Sequence, residues 1–390
     1  MYCDQPAESI ALPEGKTRKI RGMLRIFLAL SVLALMACTP RGQVTLDPKA
    51  AAVGQVQRVF IGTTRGQEDD GSFGNKRSEA VRFARYDISV PPDRKLGQIT
   101  WPPRHGAINP EKQFLTTDEL VYQGERGFRS DLKAQLAVSG GEAVIFVHGY
   151  NNNFAEGVYR VAQFAHDLKL PGAVVHYAWP SAAEPLGYAY DRDSTLFARD
   201  GLEDVLHEVA AAGAKRIVLV AHSMGAALTM EALRQTAIRG DHKTLDLIGA
   251  VILISPDIDV DVFKRSAHSI GKLPQPFLIF GSDRDKALRF SALLNGQWER
   301  LGSLKDITKL ADLQVTFLDV SEFSQGVGHF TVADSPALIT LLTGIQSVEG
   351  AFESDRRARV GLLPGVVLTV QNATRVVLQP VALVASDLTR

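Results

Sequence analysis

The sequence predicts an α/β fold in which a mostly parallel sheet is covered by helices on both faces. Short, nearly continuous apolar runs recur along the chain, as expected of strands that are buried on both sides. Helical patterns lie between these runs, and such alternation implies parallel strands joined by crossover helices. The predicted strands are 143–147, 173–177, 216–220, 250–254, 277–280 and 315–318.

Two of the helices are indicated by the spacing of their apolar residues. In the segment 154–168, apolar side chains recur every three or four residues. A second pattern of this kind starts after Gly225 and stops at Gly240, a residue type that often follows the end of a helix. The earlier region 56–140 is rich in turn signals and short β-prone runs. It predicts edge strands that precede the main sheet, at 58–61 and 86–90.

The composition limits the classes of function. The 390 residues are 45% hydrophobic, enough for a large core in one large domain or two ordinary ones. Lys+Arg and Asp+Glu both number 43, and the globular part has no strong basic cluster, so nucleic-acid binding is not expected. The two cysteines, Cys3 and Cys38, precede the globular part. Neither a disulfide framework nor a cysteine zinc site is therefore expected in the fold, and no metal or other cofactor is predicted.

The N-terminal region has the pattern of a secretory signal. From Met23, one arginine and a short apolar run are followed by Leu35-Met36-Ala37-Cys38. The run from Leu24 to Ala37 is shorter than the roughly 20 apolar residues of a transmembrane helix. Its ending resembles the lipobox of bacterial lipoproteins, in which cleavage before the cysteine leaves that residue lipid-modified. We expect a lipid anchor on Cys38 that holds the protein in the cell envelope, at the outer membrane facing the periplasm. An uncleaved signal anchor and an unprocessed apolar N-terminus are the alternatives.

The strongest chemical signal lies where the third predicted strand of the main sheet ends. Ala221-His222-Ser223-Met224-Gly225 separates this strand from an amphipathic helix. In α/β hydrolases, a nucleophile elbow presents a serine at such a turn and needs small residues two positions before and after it. Ala221 and Gly225 meet this requirement, and the start of the helix directs partial positive charge at the site. Ser223 is therefore the predicted nucleophile, with a helix N-cap serine as the alternative.

The loop after the first predicted strand of the main sheet fits an oxyanion hole. It reads His148-Gly149-Tyr150-Asn151-Asn152. In α/β hydrolases one oxyanion donor is the backbone N–H of the residue after the nucleophile, here Met224, and the other comes from this earlier loop. We assign the second donor to Tyr150 and expect His148 to shape the loop. A plain turn rich in Gly and Asn is the alternative.

A serine nucleophile needs a histidine base and a carboxylate that orients it, in the chain order Ser, Asp or Glu, His. His329 lies in a glycine-flanked loop after the last strand and is the predicted base. His242 and His268 come too early in this order. Asp285, just after a predicted strand, is the predicted acid. Asp257, at the end of the preceding strand, is the rival, because some lipases place the acid there.

A further loop lies between the oxyanion loop and the elbow. Trp179, Pro180, Tyr188, Tyr190 and Asp191 follow the second strand of the main sheet. They would line a pocket for the acyl or alcohol part of a substrate, since open α/β sheets bind ligands at this edge. Packing of a long loop explains them equally well.

These motifs occur in segments that match a known family, namely 59–65, 147–152 with Phe154, 178–181, 221–225, 255–259, 282–288 and His329. They resemble a bacterial α/β-hydrolase family of unassigned function, a domain-of-unknown-function group in the esterase/lipase superfamily. The resemblance covers about residues 56–345. It implies the α/β-hydrolase fold and a triad of Ser223, Asp285 and His329, but no specific substrate.

The expected organisation has four parts. The tail is apolar and β-branched over 360–384, and it would either add strands or pack over the main domain. The parts are an upstream segment with the signal peptide (1–37), a tether (38–55), the α/β-hydrolase domain (56–345) and a C-terminal extension (346–390).

The motifs favour a serine hydrolase that cleaves a carboxylic ester, either a small molecule or a lipid, through an acyl-enzyme. Transfer of the acyl group to an acceptor other than water would use the same triad. A third hypothesis is an envelope protein that keeps the fold for binding alone. The complete set of nucleophile, base and oxyanion loop argues against the third hypothesis, and nothing in the sequence separates the first two.

Overall fold

A computed structural model describes residues 41–296, 299–323, 328–329, 331–344 and 365–378. The chain separates into two units after Arg41, and everything described below belongs to the second unit, Gly42–Arg390. The predicted signal segment, Cys38 and much of the C-terminal extension lie outside the described residues. Among the helices that are described, none is long and apolar enough to span a membrane.

The strands belong to a single sheet. In spatial order it runs β10-β11-β9-β8-β7-β6-β4-β5-β1-β2-β3. Only the pairs β1–β2, β2–β3 and β10–β11 among the described strands are antiparallel. The other neighbours are parallel, which confirms the predicted fold class. The strands are β1 (Gln55–Gln67), β2 (Phe73–Val90), β3 (Leu115–Val121), β4 (Glu142–Val147), β5 (Ala173–Ala178), β6 (Arg216–His222), β7 (Ile248–Ile254), β8 (Phe277–Gly281), β9 (Val315–Asp319), β10 (Gly365–Val370) and β11 (Ala373–Leu378).

Helices cover both faces of this sheet. Alternate residues of β4 face opposite sides: Ile145 joins a cluster with α1, α3, α4 and α6, whereas Phe146 joins one with α2. Strands buried on both faces need apolar residues at every position, which explains their continuous apolar runs. The helices are α1 (Glu125–Val138), α2 (Phe154–Asp167), α3 (Tyr188–Ala211), α4 (Met224–Ile238), α5 (His242–Leu247), α6 (Val260–Ile270), α7 (Lys286–Leu294), α8 (Thr331–Asp334) and α9 (Pro336–Gly344).

The elements predicted from apolar patterns are present with small shifts at their ends. The six predicted strands correspond to β4 to β9, and their ends differ by one or two residues. Helix α2 begins where a capping box closes its first turn. The Asn153 side chain accepts from Glu156 N at 2.8 Å, and Glu156 Oε2 accepts from Asn153 N at 3.1 Å. This cap fixes the start of α2 directly after the oxyanion loop.

The N-terminal part of the second unit and its described C-terminal strands add to the sheet or lie along it. The predicted edge strands form a long β1–β2 hairpin. Residues 42–54, which belong to the expected tether, lie along the domain, where Thr116 N donates to Thr45 O at 2.9 Å. For the C-terminal extension the structure shows the first of the two alternatives. Its described part, 365–378, forms β11, which pairs with β9, and β10, which pairs with β11.

Candidate active site

Ser223 occupies a strained turn between β6 and α4. Its φ of 53° and ψ of −122° are unusual for a residue with a side chain. The turn is held by neighbouring backbone, because Ser223 N donates to Ile254 O at 2.9 Å and Asp257 N donates to Ser223 O at 3.1 Å. A Cβ on Gly225 would lie 2.2 Å from the carbonyl oxygen of His148, so this position has room only for glycine. The turn has the geometry of a nucleophile elbow.

His329 lies between Ser223 and Asp285. Its Nδ1 is 2.8 Å from Asp285 Oδ2, and its Nε2 is 2.8 Å from Ser223 Oγ. A carboxylate only accepts, so Nδ1 carries the proton and Nε2 accepts from the serine hydroxyl. The structure thus brings together the three residues that sequence reasoning selected. Of the glycine-flanked loop, Gly328 and His329 are described, and 324–327 and Phe330 lie outside the described residues.

Asp285 is held by two hydrogen bonds at the start of α7. The side chain is completely buried. Its Oδ1 accepts from Leu288 N at 2.9 Å and caps the helix, while Oδ2 faces His329. One residue therefore caps a helix and orients the imidazole.

Asp257, the rival acid, lies in a different polar cluster. Its Oδ1 accepts from Arg300 Nε and Ser291 Oγ, both at 2.6 Å, and its Oδ2 accepts from Tyr188 OH at 3.0 Å. Burial opposes the charge of Arg300, but Asp257 beside it raises the pKa of the guanidinium above its ordinary value. The charge of Asp257 is used within this cluster, and Asp285 is the carboxylate that the structure places at His329.

The predicted oxyanion loop packs against the elbow. A Cβ on Gly149 would lie 2.9 Å from Ser223 Cβ. The Asn152 side chain donates to Gly149 O at 3.2 Å and to Tyr150 O at 2.9 Å. A trans peptide directs its N–H opposite to its carbonyl, so the Tyr150 N–H points away from Asn152. Met224 N, in the first turn of α4, has no intrahelical acceptor. Met224 directly follows the serine, and Gly149, the residue before Tyr150, lies beside the Ser223 side chain.

Two buried histidines support the site. His148 stacks on Trp179 with ring centroids 4.7 Å apart, and burial lowers its pKa well below the usual value. Its Nδ1 lies 2.8 Å from Gly149 O, a contact that fits the loop-shaping role expected from the sequence. His222 was not selected by sequence reasoning. Its Nε2 donates to the carbonyl oxygen of His329 at 3.1 Å. Burial, then the neighbouring His329, lowers the His222 pKa well below its usual value. The only sequence signal for this role is its position next to the nucleophile.

The loop between β5 and α3 is buried at its start, from Trp179 to Ser181, whereas residues 184–186 are exposed. Trp179 and Asp191 are completely buried, which supports the packing alternative for these two residues. Tyr188 instead borders a cavity of about 340 Å³ between α3, α4 and α6. Other residues that line the cavity are Met224, Ala227, Ile258, Val262 and Arg300. In the part of the chain that the structure describes, no group of three or more His, Cys, Asp or Glu side chains is placed to bind a metal ion.

Several solved structures are similar to this chain at low identity. Esterase Est22 is 12% identical with a TM-score of 0.37, and the match covers 77% of this chain and 82% of that chain. An alpha-beta serine hydrolase homologue from Coxiella burnetii is 18% identical with a TM-score of 0.34, over 53% of this chain and 86% of that chain. Esterase B from Lactobacillus rhamnosis, in a structure with a tributyrin phosphonate inhibitor, is 11% identical with a TM-score of 0.37, over 89% and 98%.

No curated protein matches the chain. A family model described as alpha/beta hydrolase of unknown function (DUF900) matches residues 125–345, which is more than half of the sequence. The matched region contains the elbow, the oxyanion loop, Asp285 and His329. The chain is therefore a member of this family of α/β hydrolases.

Proposed function

We propose that the protein is a serine esterase that cleaves carboxylic esters through an acyl-enzyme on Ser223. One observation carries the proposal. Two hydrogen bonds of 2.8 Å, one donated by His329 Nδ1 to Asp285 Oδ2 and one donated by Ser223 Oγ to His329 Nε2, connect a buried carboxylate to a hydroxyl on a strained turn. Such an arrangement activates a serine, which is a weak nucleophile by itself.

In the first half of the reaction, Ser223 Oγ attacks the ester carbonyl carbon while His329 Nε2 takes the hydroxyl proton. Asp285 keeps the imidazole in the required tautomer and stabilises the imidazolium that forms. The N–H groups of Met224 and Tyr150 donate to the developing oxyanion. When the intermediate collapses, the carbon–oxygen bond to the alcohol breaks, and His329 gives its proton to the departing alcohol.

In the second half, water replaces the alcohol. His329 takes a proton from the water molecule as its oxygen attacks the acyl carbon. The bond to Ser223 Oγ then breaks, the serine regains its proton from His329, and the carboxylic acid leaves. The neutral, buried His222 holds the backbone of His329 during both halves, because its hydrogen bond to His329 O does not involve the reacting nitrogen.

Hydrolysis of short p-nitrophenyl esters tests the proposal. The full-length protein should release p-nitrophenol together with an equal amount of free carboxylic acid. Ser223→Ala is the matched control, since it removes only the hydroxyl. Release by the wild type that is no faster than by Ser223→Ala would overturn the proposal. If the acyl group passes to an added alcohol and no free acid forms, the activity is acyl transfer and not hydrolysis.

We also propose that the enzyme is anchored in the cell envelope by a lipid on Cys38. The sequence Leu35-Met36-Ala37-Cys38 supports this, although it lies outside the described residues. Metabolic labelling with palmitate should mark the wild type and not Cys38→Ser. Equal labelling of both would contradict the anchor.

A further inference from the structure

The oxyanion loop 148–152 must hold the Tyr150 N–H in one orientation. Some of the hydrogen bonds that hold it lie within the loop itself. Asn152 closes the loop by donating to two of its carbonyl oxygens. Asn151 has a φ of 57°, in the left-handed region that few residues with a side chain adopt. A turn of this kind persists only where surrounding contacts impose it.

The first of these contacts comes from Asp191, near the start of α3. Its Oδ2 accepts from Asn151 N at 3.0 Å and from Ser181 Oγ at 2.6 Å, and its Oδ1 accepts from Ala182 N at 2.6 Å. The carboxylate is completely buried. It therefore ties the loop after β4 to the loop after β5. Burial raises the pKa of Asp191, and these hydrogen bonds together with the charge of Arg65 oppose that rise.

The second contact comes from Arg65, on β1. Its Nη2 donates to Asn152 O at 2.8 Å, and its Nη1 donates to Gly74 O at 2.9 Å and to Ser181 O at 3.3 Å. The side chain is 1% exposed. A planar guanidinium can donate along several directions at once, which a lysine ammonium on a flexible stem does not reproduce. Arg65 also lies outside the segment 125–345 that defines the family match.

We propose that Arg65 and Asp191 are positioning residues that set the orientation of the oxyanion loop. Asp191 fixes the N–H of Asn151, and Arg65 fixes the carbonyl of the next residue, Asn152. The first and the third peptide after Tyr150 are thus held by opposite charges from two different elements. This inference rests on the proposed function, because an oxyanion hole has a role only if Ser223 forms a tetrahedral intermediate. It assigns part of the active site to the N-terminal hairpin, outside the residues 125–345 that the family model matches.

Asp191→Asn is the sharpest test. Each carboxylate oxygen accepts from a backbone N–H, so whichever way the amide turns, its NH₂ group faces a donor. Removing one oxyanion donor outright lowers kcat about 10²- to 10³-fold in a serine hydrolase. Misplacing one should lower kcat at least about tenfold while KM changes less than about twofold. Affinity for a boronic acid, which forms a tetrahedral anion on the serine, should fall by the same factor as kcat.

The matched control is Asp167→Asn. Asp167 is also a buried carboxylate, and it accepts from Arg94, from Gln163 Nε2 at 2.7 Å and from Gly97 N at 2.9 Å, at the far end of α2. The Asp167→Asn variant should lose thermal stability, as Asp191→Asn does, but keep the kcat and the boronic acid affinity of the wild type. Arg65→Lys should act like Asp191→Asn. Ser181→Ala is a milder variant if the others do not fold, since its hydroxyl donates to Asp191 and accepts from Asn152 N at 3.1 Å.

The outcomes separate the two proposals. If the wild type turns over esters and folded Asp191→Asn, Arg65→Lys and Ser181→Ala keep its kcat and boronic acid affinity, the positioning role is wrong and the esterase proposal stands. If Asp167→Asn lost kcat and boronic acid affinity by the same factors, the losses in the other variants would reflect general destabilisation and not positioning of the loop. If the wild type neither turns over esters nor binds the boronic acid, the esterase proposal fails, and the positioning role fails with it.

Discussion

Asp257 and Asp285 follow the C-terminal ends of neighbouring parallel strands, β7 and β8, yet the protein uses them differently. Both are buried, at 6% and 0% exposure. Asp257 faces Arg300, Ser291 and Tyr188, whereas Asp285 caps α7 and faces His329. A buried carboxylate next to a guanidinium is already neutralised. Asp285, whose side-chain partners among the described residues are Leu288 N and His329, is the carboxylate whose charge can stabilise an imidazolium that forms during a reaction.

The largest expected effect concerns the pair to which Asp285 is connected. Ser223→Ala and His329→Ala should each abolish most esterase activity, by on the order of 10⁴- to 10⁶-fold in kcat. The double variant should be hardly slower than either single variant, because residues that act as one unit have non-additive effects. Steady-state kinetics with a p-nitrophenyl ester measures this. Additive losses would show that His329 acts apart from Ser223, which would remove the reason to distinguish the two aspartates.

Asp285→Asn should lower kcat by about 10⁴-fold, because the imidazole loses its tautomer and its charge partner. The melting temperature should hardly change, since an asparagine at this position still caps α7. Asp285→Ala is the matched control, as it should be equally inactive and also lose the cap, at a cost of about 1 kcal/mol. A fully active Asp285→Asn would reverse the roles of the two carboxylates.

Asp257→Asn should have the opposite profile. It leaves the Arg300 guanidinium buried beside an uncharged group, and breaking a buried ion pair in this way costs about 3 kcal/mol or more. Denaturant unfolding should therefore show a clear loss of stability, while kcat per folded molecule stays near that of the wild type. A stable but inactive Asp257→Asn would place the catalytic carboxylate at the end of β7 and contradict the assignment.

The smallest expected effect is on stability and concerns His222, which donates to the backbone of His329, the residue that Asp285 faces. The His222 pKa in the folded protein is depressed, chiefly by burial, so the unfolded chain binds a proton below pH about 6.5 that the folded protein does not. Its stabilising contribution is present above that pH and is lost as the pH falls, by about 1.4 kcal/mol per pH unit. The stability of His222→Gln should fall less steeply between pH 6.5 and 5. An unchanged slope would mean that His222 is charged in the folded protein.

Much of the fold could be predicted because strands buried on both faces carry a local signal. The apolar runs of β4 to β9 and the spacing in α2 depend only on neighbouring residues. The elbow and His329 could be selected for a similar reason, since a strand–turn–helix and a chain order are visible along the sequence.

The remaining features depend on partners that are distant in sequence. Whether Asp257 or Asp285 faces the base depends on where Arg300 lies, and chain position carries no trace of that contact. Arg65 hydrogen-bonds to backbone carbonyls, one of them 87 residues away, and any residue type presents a carbonyl. Residues 42–54 are polar enough to be expected as a tether, but backbone hydrogen bonds with β3 hold part of this segment along the domain.

The most direct test of the central claim, that Ser223 is an activated nucleophile, is fluorophosphonate labelling followed by peptide mass spectrometry. The adduct should map to Ser223 in the wild type and persist in Asp257→Asn. It should be absent in Ser223→Ala and form far more slowly in His329→Ala and Asp285→Asn, because the reagent reacts only with an activated serine. A folded wild-type protein that takes up no label, or takes it up on another residue, would contradict the claim.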